Sequence, residues 1–230
     1  MAAIVTQPTT NPVQTHTNHA ETQMPIFAGA IRIKKQTLPN GKAVVGVIEH
    51  DPNATTPREW ANLGKILIEP SKSHWIASPD DVVDTDIALG NNPYIHWDNI
   101  CREQLQLKKP DIAIAYPIIK HEHGAITLSL GFKQGRDFDV VGFIYATKQQ
   151  VREWYGVRRL SKSIIERAEK CIQAEIDTLA DWLNGKCYGY RVYAVEYNDM
   201  GDIEDYTELD SCWGFVGDID SGDPIRRCMA

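Results

Sequence analysis

The sequence predicts an α+β fold, an antiparallel sheet packed against one long helix over about 161–184 and accompanied by a short helix over about 148–155. Three observations carry that reading. Short segments on both sides of the centre alternate apolar and polar residues, as strands with one solvated face do. One segment, SIIERAEKCIQAEIDTLADWLNG, shows a long helical stripe. Strands also cluster before and after that helix without regular alternation, which argues against a doubly wound parallel sheet.

Residues 1–24 are rich in Thr, Asn, Gln and Pro and show no periodicity, so they are expected to form a disordered tail ahead of a single domain over 25–230. His16 and His19 fall in that tail, where nothing predicts the helix that would pair them. From Ile31, IRIKKQTL alternates apolar and basic residues. PNG turns, with Asn40-Gly41 suited to the positive φ angles of a tight hairpin, and KAVVGVIEH returns. The loop DPNATTPREW leads to a strand in LGKILIEP, and the turn-rich stretch 73–97 reads as a long functional loop or as a short helix with loops. DIAIAYPIIK is a strand in which Pro117 calls for an edge or a bulge. AITLSLGF and DVVGFIYAT are two more.

The period then changes. Thr147 and Gln150 form a capping box and Gly156 can end the short helix. Ser163 and Glu166 form a second capping box at the start of the long one. Its apolar stripe is Ile164, Ile165, Ala168, Cys171, Ile172, Leu179 and Leu183, and Gly185 stops it. CYGYRVYAVEY and DYTELDSCWGF read as a hairpin turning around Asn198–Gly201.

A 230-residue chain with 43% hydrophobic and 24% charged residues can bury a core without disulfides. The net charge of −7 argues against nucleic acid as a direct ligand, because phosphate binding needs a basic face. No apolar run approaches the roughly 20 residues of a membrane span. The N-terminus lacks the basic start and apolar core of a secretory signal, so the expected compartment is the cytoplasm. Cysteines 101, 171, 187, 212 and 228 include no C-x-x-C pair, hence neither a zinc knuckle nor a thioredoxin motif, and reduced thiols are expected. Phosphate-binding, dinucleotide-binding and nucleophile-elbow motifs are absent, so no catalytic residue can be named.

The charge is unevenly spread. Residues 196–224 hold ten acids and no Lys or Arg, while the rest of the chain holds 21 acids against 24 bases. This acidic C-terminal hairpin is either a solubilising surface or a patch that meets a basic partner. The second reading names Glu204, Asp205, Glu208, Asp210 and Asp218 as the charged surface, with Trp213 and Phe215 as an apolar anchor on one face of the strand. DIDSGD, with Asp218, Asp220 and Asp223, lacks the spacing of a calcium loop.

A second candidate is HEH. On a strand His121 and His123 share a face, where two imidazoles can hold Zn²⁺ or another divalent ion if a third ligand arrives from elsewhere, such as His74, His96 or Asp98. The duller reading is a solvated turn. Cys212 paired with one of these histidines would make a nucleophile and base, but no family signature surrounds it, and Cys is among the residues most often buried as plain hydrophobes. Of six tryptophans, Trp154 and Trp182 fall on helices and are expected in the core. Trp60, Trp75 and Trp97 lie in the loop-rich region, either as anchors or packed beneath a loop.

TTPREWANLG, HEHGAITLS, VGFIYATKQQVREWYG, ADWLNGKCYGY and DSCWGFVGD, in that order over roughly 44–218, resemble a set of uncharacterised proteins encoded by phages, plasmids and other mobile elements. The group's central segment reads closer to Asp-His-Ser-Gly, so His123 is a departure. The resemblance implies a mobile-element setting and no mechanism. Setting and charge together lead to the expectation of a non-enzymatic accessory protein that needs no cofactor. It would bind, and by binding inhibit, a host protein with a basic surface, in defence or nucleic-acid handling. The alternative is a metal-dependent hydrolase or nuclease using His121, His123 and nearby acids. A structural component that self-associates is a third reading.

Overall fold

The computed structural model describes residues 27–37, 42–68, 108–131 and 138–219. The N-terminal tail, the Asn40-Gly41 turn, the 73–97 stretch with His74, Trp75, His96 and Trp97, and also Asp98, Asp220 and Asp223, lie outside the described residues. The fold is α+β. Its strands are β1 (Ala30–Thr37), β2 (Ala43–His50), β3 (Lys65–Ile68), β4 (Ile112–His123), β5 (Ala125–Leu130), β6 (Phe138–Thr147), β7 (Cys187–Tyr197) and β8 (Ile203–Val216). Helices α1 (Lys148–Tyr155) and α2 (Lys162–Leu183) stand between β6 and β7. The strands make two four-stranded sheets, ordered β1-β2-β7-β8 and β3-β6-β4-β5, where the sequence pointed to one. The chain divides into two compact units, one drawn from Met1–His50 and Gly189–Cys212, the other from Asp51–Tyr188 and Trp213–Pro224.

In the first unit β1 and β2 are antiparallel neighbours. Ion pairs join Glu49 to Arg191 and Lys42 to Glu196, in opposite order along β2 and β7, so those strands also run antiparallel. The five-residue link from β7 to β8 forces the same relation. Asn198 closes that turn by accepting from the Met200 and Asp202 amides, while Gly201 takes φ 87°. The core here is small: Phe27, Val45, Val47, Tyr193 and Val195, flanked by Ala30, Ile33, Tyr197 and Ile203.

In the second unit α2 packs on the β3-β6-β4-β5 sheet. Ala168, Ile172, Ile176 and Leu179 are fully buried with Ile66, Ile114, Ile118, Leu128 and Ile144. Each of the larger residues contributes about 1.5–3 kcal/mol by leaving water. The predicted stripe omitted Ile176, one turn beyond Ile172 on the same face.

Two expectations need correction, and a third, for Pro117, is met in part. Ser161, not Ser163, caps α2, since its Oγ accepts from the Ile164 amide at 3.3 Å; the Ser163 hydroxyl lies 3.0 Å from that of Ser161. Trp154 is not core: on an eight-residue helix whose buried residue is Val151, the indole falls on the solvent side and is 43% exposed. Pro117 sits on an inner strand. It tolerates that place because β5 begins pairing one residue later, at Ile118 with Leu130, and the β4–β6 register shifts between Ile118 and Ile119. The α1 boundaries hold. Thr147 and Gln150 make the capping box, and Gly156 ends the helix at φ 63°.

Candidate functional site

The first unit presents β8 as an edge strand of its sheet among the described residues. Residues 204–214 are exposed without interruption on both alternations of the strand, although Tyr206 rests edge to face on the buried Tyr193 with ring centroids 5.8 Å apart. Glu204, Asp205, Glu208 and Asp210 all lie there, brought together by succession along one strand rather than by convergence. A strand keeps this many carboxylates only when water solvates them or a cation answers them. Several contacts inside the unit bear on them. Tyr190 donates its hydroxyl to Asp210 at 3.1 Å. Lys42 bonds Glu196, which with a smaller contribution from Asp205 raises the lysine's pKa above its ordinary value. Arg191 meets the buried Glu49 at 3.0 Å; its hydrogen bond to Tyr193 first, then Glu49 and Glu208, push its pKa further up.

Trp213, Phe215 and Asp218 belong to the second unit. Trp213 is 40% exposed, Phe215 is half-buried and Asp218 is exposed. The strand alternation expected to set both rings on one face passes through Gly214 at φ 85°, whose amide donates to Asp51 at 3.0 Å. Gly217 then donates to the Lys186 carbonyl at 3.0 Å, and Lys186 pairs with Asp181 at 2.7 Å. The rings therefore stand on a bent strand end pinned by Asp51.

His121 and His123 close β4, just before Gly124 turns the chain into β5 at φ 76°. Their rings meet edge to face with centroids 4.7 Å apart, as residues two apart on a strand should. No group of three or more His, Cys, Asp or Glu side chains arranged to hold a metal occurs among the described residues. Cys212 is exposed on β8 and belongs to the other unit from these histidines. Trp60 is 45% exposed, and Trp182 donates its indole N–H to the Ala54 carbonyl at 3.1 Å.

One charged cluster escaped sequence reasoning. Glu175 of α2 accepts from the Leu63 and Gly64 amides at 2.7 and 3.0 Å. Arg58 lies 3.8 Å away and donates to the Gly64 carbonyl at 2.8 Å. Burial pushes the Glu175 carboxyl above its ordinary pKa, against the opposing pull of the two amides, Arg58 and Cys171. A signal was present: an acid stands inside the apolar stripe, between Cys171 and Leu179. The cluster clamps the 56–64 loop onto α2. Nearby, Tyr116 donates to Glu169 at 2.9 Å beside a shallow, open depression lined by Glu166, Lys170 and Gln173.

Comparison of the chain with protein-family models, with curated proteins and with solved structures gives no match.

Proposed function

We propose that this chain is a non-enzymatic accessory protein of a mobile genetic element that binds a basic host protein through β8 and thereby blocks it. The observation that supports this most is the unbroken exposure of 204–214 on both faces of an edge strand carrying Glu204, Asp205, Glu208 and Asp210. Carboxylates spaced along an exposed strand offer a basic surface the same sign of charge as a phosphate backbone. Trp213 and Phe215 add apolar area beyond the acids, and Asp218 extends the charge. Such an arrangement gives fast, salt-sensitive association, with slow release left to the aromatic contacts.

The test is capture from host lysate on the tagged chain, washed at low and at high salt, beside a Glu204→Lys, Glu208→Lys, Asp210→Lys variant. One basic nucleic-acid-handling protein, retained at low salt and lost at high salt and from the variant, is the expected result. Capture that survives both changes overturns the reading.

A second reading rests on the 4.7 Å approach of the His121 and His123 rings. Two imidazoles at that distance can share a divalent ion, which would activate water for hydrolysis. It requires stoichiometric zinc or manganese after gentle purification, and loss of both metal and hydrolysis in His121→Ala.

A further inference from the structure

Among the described residues, the two edges of the first sheet carry opposite charge. β1 holds three bases, Arg32, Lys34 and Lys35, and no acid. β8, at the other edge, holds four acids and no base. We infer that the β8 edge of one copy takes up the β1 edge of a second copy of this chain, so that the sheet continues from molecule to molecule.

The strand directions permit it. Down the order β1-β2-β7-β8 the strands alternate, so β1 and β8 run in opposite senses. A second copy translated along the sheet, with no rotation, brings its β1 beside β8 in antiparallel register. Backbone N–H and C=O groups on the two outer edges then pair as they do inside the sheet. β1 and the part of β8 up to Cys212 belong to the same unit.

Of the registers that pair two of these bases with two of these acids, one keeps both pairs on a single face. Setting Arg32 opposite Asp210 sets Lys34 opposite Glu208, two ion pairs on one face because the side-chain period is two. The same register sets Ile33 opposite Leu209, with Ile31 diagonal to it. Leu209 and Ile31 are exposed apolar side chains of this unit, at 57% and 40%. All eight residues of β1 then fall against 205–212.

The charges also select the mode. Two β8 edges repel, as do two β1 edges, so a symmetric dimer through either edge is disfavoured. The remaining contact is heterologous and does not close on itself by translation, so it propagates. Whole-chain repulsion from the net charge of −7 opposes it at low ionic strength. At a physiological Debye length of about 8 Å that repulsion is screened, while directly opposed pairs are not. This goes beyond the binding of a host protein and does not require it, although a host partner and a second copy would compete for the same strand.

The experiment is sedimentation velocity on the full chain over a dilution series at physiological salt, with Lys34→Glu, Glu208→Lys and the double variant. The unaltered chain is expected to show a mass that rises with concentration. Each single reversal is expected to lower the association constant by about tenfold or more, because attraction becomes repulsion across the same pair. An equimolar mixture of the two single variants, and the double variant alone, are expected to recover association, since each restores opposite charge across the contact. Recovery also shows that the substituted chains are folded. A chain that sediments as a monomer at every soluble concentration overturns the inference. So does association that survives either single reversal, or that neither the mixture nor the double variant restores.

Discussion

Glu175 and the acids of β8 are the same chemical group held in opposite ways. Glu175 is largely removed from water and answered by two amides, a guanidinium and a thiol within its own unit. Glu204, Glu208 and the other acids of β8 stand on an exposed strand of the other unit, most of their solvation intact. Removing a buried charge's partner strands a desolvated group, whereas removing a solvated charge leaves water to close the gap. One carboxylate holds a loop to a helix; the others are proposed to set what the surface attracts.

The largest test of that division is Glu175→Ala. It leaves the Leu63 and Gly64 amides and the Arg58 guanidinium without their carboxylate, and the second unit is expected to lose about 3 kcal/mol in denaturant melts. A loss no larger than that of an exposed acid would erase the contrast. The pH dependence sharpens it. Burial raises the folded pKa of Glu175, while the unfolded chain keeps the ordinary value of about 4.5. Between the two values the folded chain binds more protons. The stabilisation is therefore full below the unfolded value and is lost as pH rises through the folded one. Glu175→Gln, which cannot titrate, is expected to flatten the fall in stability seen on going from acid toward neutral pH.

Gly64→Ala probes the same clamp from the loop side. A Cβ there would stand 2.6 Å from Ile144 Cδ1 and 3.0 Å from the Glu175 carboxylate. Overpacking of this kind costs about 1–3 kcal/mol, so the expected loss in melts is smaller than for Glu175→Ala. Thr147→Ala comes next. It removes the Oγ that accepts from the Gln150 amide at 3.2 Å, and the expected loss is about 1 kcal/mol, the usual worth of a helix cap. An unchanged melt for Thr147→Ala would mean that α1 is held by Val151 and its packing alone.

What was legible in the sequence follows from the range of each interaction. The capping box at Thr147, the left-handed Gly156 and the Asn198–Asp202 turn are local, so spacing alone reveals them. The α2 stripe was legible too, apart from Ile176. The cap of α2 was misread because Ser161 and Ser163 both have the chemistry, and the backbone decides which one faces the Ile164 amide. Splitting of the strands into two sheets depends on pairings between residues far apart in sequence, such as β2 with β7, which periodicity does not encode. The Glu175 clamp joins residues more than a hundred positions apart. Its one local trace is an acid in an apolar stripe. The acid density of 196–224 was plain, but that β8 is, among the described residues, an exposed edge strand is a property of the sheet.

The smallest expected effect on stability falls on the region expected to matter most for binding. Glu204→Lys, Glu208→Lys and Asp210→Lys together remove three solvated acids and one hydrogen bond, Tyr190 to Asp210. Exposed charges of this kind change stability by about 0.5 kcal/mol or less each. Relief of repulsion among neighbouring acids offsets part of the lost Tyr190 contact. The first unit has only a small core, so a shift of several kcal/mol would be unmistakable in its melt. It would mean that β8 is held to β7 by these carboxylates rather than by its backbone pairing. Nearly unchanged melting beside lost capture of a basic partner is the expected outcome. It would place β8 at the opposite extreme from Glu175, with carboxylates that contribute little to the fold and most of what the surface selects.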